Sequence, residues 1–434
     1  MIASINNKMQ IILKLILRIF TILIMDSLEV EQAQLWLESW VQCGSIPGAL
    51  LSIFDSNGRQ LFYHESSSTN NADKYDASSI FRVYSMTKPV TCFALMILVD
   101  RGIISVDDEV GKWIPSFHKC SVLTGGTIDE PLTEPLKEPM KIYHLLTHTS
   151  GISYGIFSNS LGDQLLCRNF GASNVKVWCE TLSLSDLCDA IAKTPLCFQP
   201  GSKFLYGWSI DVVGHILEIA SGLTLDEFFK KEIFEPLEMN DTEFYLDETK
   251  ISRLVNCYEK FGPTYRLSSN CERDRSKPKR LLGGGMSLVS TITDYEKFSR
   301  CLLNKGVYKG LRIVSEDVLN KMLTSQLPGN VEISHMAFDS SFSELLGDGY
   351  GFGYGGYVLQ NPSRGFGESL SGVGCYGWGG VASTFFFIDP VYKISVIFMT
   401  QLIPSNAYPI RPQIRWITHK LLQPLINQAE KTCV

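Results

Sequence analysis

Phe81-Arg82-Val83-Tyr84-Ser85-Met86-Thr87-Lys88-Pro89-Val90 is the stretch on which the reading of this chain turns. Within it Ser85-Met86-Thr87-Lys88 has the form Ser-x-x-Lys. A serine hydroxyl is a weak nucleophile at neutral pH and needs a base beside it. Residues three apart share one face of a helix, so Lys88 can reach the Oγ of Ser85 from one turn above. Pro89 is tolerated in a first helical turn, where its missing N–H costs nothing. The nearly unbroken apolar run Val90 to Val99 predicts a helix buried on all sides, with Gly102 as its stop. Ser85 then stands at a helix N-terminus, where free N–H groups and the helix dipole favour negative charge. Taken alone the motif is common, and a capping serine with a solvated lysine would account for it. The rest of the chain has to decide.

Bulk properties narrow the field. The 434 residues are 45% apolar and 19% charged, enough for a sizeable core in one large or two to three smaller domains. A net charge of -6 speaks against a nucleic-acid partner. The one small basic cluster, Ser276-Lys277-Pro278-Lys279-Arg280, reads as a solvated loop. Twelve scattered cysteines with no C-x-x-C pair fit reduced thiols in a cytoplasmic protein better than a disulfide framework. Ile11 to Met25 is apolar apart from Lys14, Arg18 and Thr21. It is shorter than the roughly 20 residues that cross a bilayer. Residues 1–27 could be dispensable, could target the chain, or could lie weakly on a membrane surface.

Along the chain, residues 28–43 carry apolar positions at helical spacing. Gly48 to Phe54 and Gln60 to His64 flank Asn57-Gly58, a hairpin signature. Residues 119–140, with Gly125-Gly126 and three prolines, read as loop. Helices are expected at 183–195, 209–222, 224–234 and 290–305. The last part changes character: 351–359, 380–388 and 393–399 read as strands, and 409–427 as a closing helix. Strands at both ends around a helical middle predict an α+β fold. Its antiparallel sheet lobe takes residues 28–104 and 340–425, and an inserted helical lobe takes 105–340.

A Ser–Lys nucleophile wants a second proton-transfer group and an oxyanion hole. Tyr206, in a loop just before a helix, is the candidate for the first. Tyr376-Gly-Trp378-Gly379-Gly380-Val381 is the candidate for the second, since paired glycines let backbone approach a ligand. There the N–H of Val381 would join that of Ser85. Two other patterns carry less. Gly151-Ile-Ser-Tyr-Gly155 matches G-x-S-x-G but lacks the preceding strand and following helix. His144 and His148 have the spacing of a zinc pair but no Glu between them. His148 reads instead as a hydrogen-bonding loop residue.

Taken together and in order, these segments resemble the serine β-lactamase and penicillin-binding-protein superfamily, and within it the class C β-lactamase-like and family VIII esterase branch. Ser85-Met-Thr-Lys-Pro-Val-Thr91 resembles S-x-T-K-x-x-T. Leu145-Leu-Thr-His-Thr-Ser-Gly151 resembles L-L-x-H-T-S-G, and Phe198-Gln-Pro-Gly-Ser-Lys-Phe-Leu-Tyr206 resembles F-x-P-G-x-x-x-x-Y. Ile233 to Met239 and Gly283 to Thr291 also fit. The resemblance implies a β-lactamase/transpeptidase-like fold with no metal or other cofactor. It implies Ser85 as nucleophile, and Lys88 and Tyr206 as general base and acid.

Two departures matter. Trp208 replaces the Asn of Y-x-N, where it would shape an acyl pocket. Trp378-Gly379-Gly380 replaces K-T-G, which removes the cation that pairs with the carboxylate of a β-lactam or D-amino-acid peptide. Neutral carboxylic esters become the expected small-molecule substrates. An acyltransferase, a β-lactamase or D-peptidase, and a catalytically silent binding protein are the alternatives. An ordinary lysine titrates near ~10.4 and is a poor base at neutral pH. The mechanism therefore requires Lys88 to be buried within hydrogen-bonding reach of both Ser85 and Tyr206.

Overall fold

The two strands around Asn57-Gly58 pair as expected, β1 (Gly48–Asp55) against β2 (Gln60–Ser67). Gly58 sits at φ +81° and donates its N–H to the Asp55 carbonyl at 2.9 Å, which closes the turn. They belong to a computed structural model that describes residues 27–69, 73–156, 160–171, 181–269, 275, 280–338, 348–364 and 371–432. The readings made for residues 1–26 and for the basic loop at 276–279 lie outside the described residues.

The remaining strands of this sheet come from the far end of the chain. They are β3 (Tyr350–Phe352), β4 (Tyr357–Leu359), β5 (Tyr376–Gly379), β6 (Phe385–Asp389) and β7 (Ile394–Met399). All neighbours are antiparallel, in the order β3-β4-β5-β6-β7-β1-β2. In β1, Leu50 pairs with Met399 and Phe54 with Ser395, so the two chain ends are stitched together strand to strand. The predicted α+β architecture, with one sheet built from both ends, is the observed one.

Why β1 and β7 read as apolar runs rather than alternating ones is visible in the layers. Helix α1 (Ser27–Gln42) packs on β1 and β2. On β6 the outer residues Phe385 and Phe387 face Arg415 of the closing helix (Ile410–Thr432), which also packs on α1. Between them Phe386 faces Tyr295 of the helix Ile292–Leu303. Alternate residues of a strand point to opposite faces, so both faces of the sheet are covered.

Three expectations are corrected. Residues 119–140 contain a hairpin, Ser121–Gly126 with Pro131–Pro135, and the Gly125-Gly126 pair that suggested loop ends its first strand, just past a bulge between Leu123 and Gly125. Residues 351–359 are two short strands turned at Gly355 (φ +78°), not one. Helix Ile292–Leu303, assigned to the inserted lobe, packs on β1, β6 and β7. The sheet lobe thus takes the chain back well before residue 340.

Helix α2 (Thr87–Asp100) is the pivot. Every residue from Thr87 to Leu98 is buried, including Lys88. Burying each large apolar side chain of this run is worth about 1.5–3 kcal/mol. Helix α3 (Ser209–Ser221) and the helix Glu316–Leu323 pack against α2, and α3 ends at Gly222 with φ +72° as its left-handed cap. Among the described residues, no helix is long and apolar enough to cross a membrane.

Candidate active site

Ser85 lies in a single 3-10 turn, Tyr84–Met86, that feeds directly into α2. The turn is sharp because Tyr84 is held at φ +44°. A bulky residue rarely adopts that conformation, and such strain gathers where a side chain must be presented. The strand Phe81–Arg82 fixes the entry by pairing with Val289–Ser290, and Thr87 Oγ1 accepts the Leu288 N–H at 3.1 Å.

Lys88 is wholly buried, and its Nζ can make three hydrogen bonds. All three are used: Ser85 Oγ at 3.2 Å, the Tyr154 hydroxyl at 2.9 Å and the Gly285 carbonyl at 2.8 Å. A buried amine without partners would be expensive, so this triad is what allows a lysine inside an apolar helix. The Gly283-Gly284-Gly285 segment supplies the third contact because it can thread between α2 and α3. A side chain at 284 would approach the Ile210 carbonyl to 2.9 Å, and one at 285 would meet Asp211 Oδ2 at 2.3 Å. Thr91 Oγ1 holds the same segment by donating to the Gly284 carbonyl at 2.5 Å. The buried Asp211 accepts the Gly285 N–H at 2.9 Å. Burial pushes its carboxyl up to about 6, against the pull of Lys88.

Two tyrosines converge on Lys88, in different ways. The expected one, Tyr206, offers its ring face, whose centroid lies 4.5 Å from Nζ, a cation–π contact. Its hydroxyl instead accepts the Trp378 Nε1–H at 3.1 Å. The place beside Ser85 belongs to Tyr154, whose hydroxyl is hydrogen-bonded to Ser85 and Tyr206 as well as to Lys88. Burial, reinforced by Tyr206 and Asp211, holds the Tyr154 phenol well above its usual range, so it keeps its proton.

Trp208 has a different place from the acyl-pocket wall expected of it. Its indole is completely buried behind Tyr154, 5.3 Å from that ring, and its Nε1–H is donated to the Tyr154 carbonyl at 2.7 Å. Gly207 between Tyr206 and Trp208 lets the two tyrosine loops touch. A Cβ there would lie 2.1 Å from the Ile152 carbonyl.

The glycine-rich strand end meets the serine turn. A side chain at Gly380 would lie 2.5 Å from the Val83 carbonyl, two residues before Ser85. Among the described residues neither the Ser85 nor the Val381 N–H has a protein acceptor, and Val381 is 41% exposed. Two open N–H groups near a nucleophile are what an oxyanion needs. Trp378 and Gly379 also border a cavity of about 300 Å³ with Tyr350, Tyr357, Phe385 and Arg411. A Cβ at Gly379 would lie 2.4 Å from the Arg411 guanidinium.

Ser85, Lys88, Tyr206 and Trp378 are therefore gathered in one place, with Gly379, Gly380 and Val381 at the strand end beside them. Sequence reasoning missed Tyr154 and Asp211. Tyr154 sits inside the set-aside Gly151–Gly155 pattern, whose Ser153 is buried and accepts the Trp208 N–H on its carbonyl at 3.4 Å. Asp211 carried a signal: an acidic residue on the buried face of an otherwise apolar helix. The two histidines point to different tasks. His144 Nδ1 accepts the Lys141 N–H at 3.1 Å and His148 Nδ1 the Gly207 N–H at 3.4 Å. Among the described residues no group of three or more His, Cys, Asp or Glu could hold a metal.

Comparison with known proteins places this geometry. The family model described as Beta-lactamase matches residues 35–415. Protein Rv1367c of Mycobacterium tuberculosis is 30% identical over 342 residues, 75% of this chain and 78% of that protein. Esterase EstB of Burkholderia gladioli is 28% identical over 336 residues, 74% of this chain and 77% of EstB. Among solved structures, EstCE1, described as a hydrolase with promiscuous acyltransferase activity, superposes with a TM-score of 0.74 at 23% identity. That match covers 91% of this chain and 98% of EstCE1.

Proposed function

The chain belongs to the beta-lactamase family, as a serine hydrolase or acyltransferase, and from that premise we propose that it cleaves carboxylic esters through an acyl-enzyme on Ser85. The observation that carries the proposal is the buried Lys88 amine 3.2 Å from Ser85 Oγ, with Tyr154 bonded to both. Ser85 Oγ forms a bond to the acyl carbon while its proton passes to the lone pair of the neutral Lys88 amine, which becomes the ammonium. The carbonyl oxygen gathers negative charge beside the Ser85 and Val381 N–H groups. The ester C–O bond then breaks, and the leaving alcohol takes that proton by way of the Tyr206 hydroxyl. Water repeats the sequence in reverse, giving the free acid and restoring Ser85. An alcohol entering in place of water would give acyl transfer from the same intermediate.

The preference for a neutral ester rests on the departure at Trp378. An indole stands where the resemblance puts a lysine and donates its Nε1–H to Tyr206, while the neighbouring Arg411 guanidinium donates to the Gly380 and Thr384 carbonyls. The resemblance of the chain to EstB supports the same reading. A fluorophosphonate should label the native protein rapidly, and Ser85→Ala should not be labelled at all. A native protein that stays unlabelled, and inert toward p-nitrophenyl esters of graded acyl length, would sink the proposal. Nitrocefin should be turned over far more slowly than the best ester. Added acceptor alcohols, with product analysis, separate hydrolysis from transfer.

A further inference from the structure

His148 is fully buried and belongs to no step of the mechanism above. Its contacts converge on one neighbour. The His148 carbonyl accepts the Leu205 N–H at 2.9 Å, and its Nδ1 accepts the Gly207 N–H at 3.4 Å. Those are the residues on either side of Tyr206. Its ring also lies against the Tyr206 ring, with centroids 4.6 Å apart. Phe204 and Phe352 close off other edges of the imidazole, at 6.1 and 5.8 Å. The residue carries two burdens that a packing residue would not need. It sits at φ +55°, in the left-handed region, and its Nε2 is buried with no hydrogen-bond partner. Burial and the neighbouring Lys88 keep the ring neutral, which leaves Nδ1 free to accept.

We propose that His148 is a positioning residue for Tyr206, clamping the main chain on both sides of that tyrosine and fixing its ring over Lys88. The proposal rests on the serine-hydrolase reading, since it assigns His148 to the reaction through Tyr206. A bulky apolar side chain would pack as well but could neither accept the Gly207 N–H nor tolerate the backbone conformation. Asn can do both, because it enters the left-handed region readily and its Oδ1 is an acceptor.

The test measures ester kinetics of His148→Ala, His148→Asn and His148→Phe, each alone and with Tyr206→Phe. In the otherwise native protein, alanine should lower kcat by ~10- to 100-fold, with KM changed less than ~3-fold. Asparagine should recover activity to within ~5-fold. Phenylalanine, which keeps ring stacking but not the acceptor, should resemble alanine. With Tyr206→Phe in place, the alanine change should cost less than ~2-fold more, because the residue acts through the missing hydroxyl. Losses that multiply in the double variant, or an asparagine variant that melts like the native protein yet is as slow as alanine, would overturn the proposal. If alanine fails to fold, the asparagine and phenylalanine variants carry the same comparison. Native protein that fluorophosphonate does not label would instead sink the hydrolase reading, so the two failures are distinguishable.

Discussion

Two loops bring a tyrosine to the same lysine, and they do it in opposite ways. The loop through Gly151–Gly155 delivers a hydroxyl: Tyr154 is 2.9 Å from Lys88 Nζ and bonded to Ser85. The loop ahead of α3 delivers a ring face: Tyr206 lies under Nζ at 4.5 Å, and its hydroxyl turns to Trp378 on β5. The difference suggests a division of labour. Tyr154 holds the Ser85–Lys88 pair in register from inside the core, braced by Trp208. Tyr206 holds its hydroxyl at the strand end, where an acyl group and its leaving oxygen would lie. Burial agrees, since Tyr154 keeps its proton tightly while Tyr206 is tied to the one indole that borders the cavity.

The comparison can be broken from its largest effect downward. Removing the lysine that both loops serve should erase them together. Lys88→Met should lower kcat/KM by at least ~10³-fold, and adding either tyrosine change should then do little, because residues acting as a unit are not additive. Retained activity in Lys88→Met would end the account for both loops. Next comes Tyr206→Phe, which leaves the ring under Nζ but deletes the hydroxyl. A drop of ~10²- to 10³-fold in kcat is expected, the scale of a lost proton-transfer group. Tyr154→Phe should cost less, ~10- to 10²-fold, and should also slow fluorophosphonate labelling, because Ser85 and Lys88 lose their orienting partner. If Tyr154→Phe proves the more damaging of the two, the roles are reversed.

The same pair of tyrosines marks how far the amino-acid sequence discloses the site. Ser85, Lys88, Tyr206 and the Trp378–Gly380 strand stand out because each lies in a short stretch whose chemistry is local: a helical turn, a loop before a helix, a glycine pair before a strand. The antiparallel sheet shared by the two ends is equally legible, from apolar runs punctuated by turns. Tyr154 is not, because nothing within a few residues of it announces a role. Its hydroxyl matters only because Gly207 lets the second loop come within contact of Ile152, far away along the chain. The Gly125-Gly126 hairpin escapes notice for a related reason: glycines at a bulge and glycines in a loop look alike along the chain. Trp208 takes a substrate-facing place when judged by its position after Tyr206. Burial alone moves it behind Tyr154.

The smallest expected effect concerns acid, and here too the two loops differ. Ahead of the Tyr154 loop along the chain come His144, which burial pulls down to about 4, and His148, lowered in the same direction with its ring against Tyr206. Unfolded histidine takes its proton near ~6.5, so between about pH 6.5 and 4 the unfolded chain binds more protons and the fold loses stability on acidification. For His144 this amounts to at most on the order of 3 kcal/mol. Beside the Tyr206 loop lies Asp211, raised from its ordinary 3.8 to about 6 by burial. Its sign is opposite: between about 6 and 3.8 the folded chain binds the extra proton, and stability rises as pH falls, again by at most on the order of 3 kcal/mol. Two histidines against one carboxylate should leave the native protein less stable in acid. Asp211→Asn keeps an acceptor for the Gly285 N–H and discards the charge. It should melt higher than the native protein at about pH 7, by the equivalent of ~1–3 kcal/mol, and lose that advantage steadily as pH drops from about 6 toward 4. Thermal melts of both proteins across roughly pH 4–7.5 provide the check. Curves that run parallel would mean Asp211 carries no buried charge, and the opposition between the two loops would lose its electrostatic half while the tyrosine geometry stood.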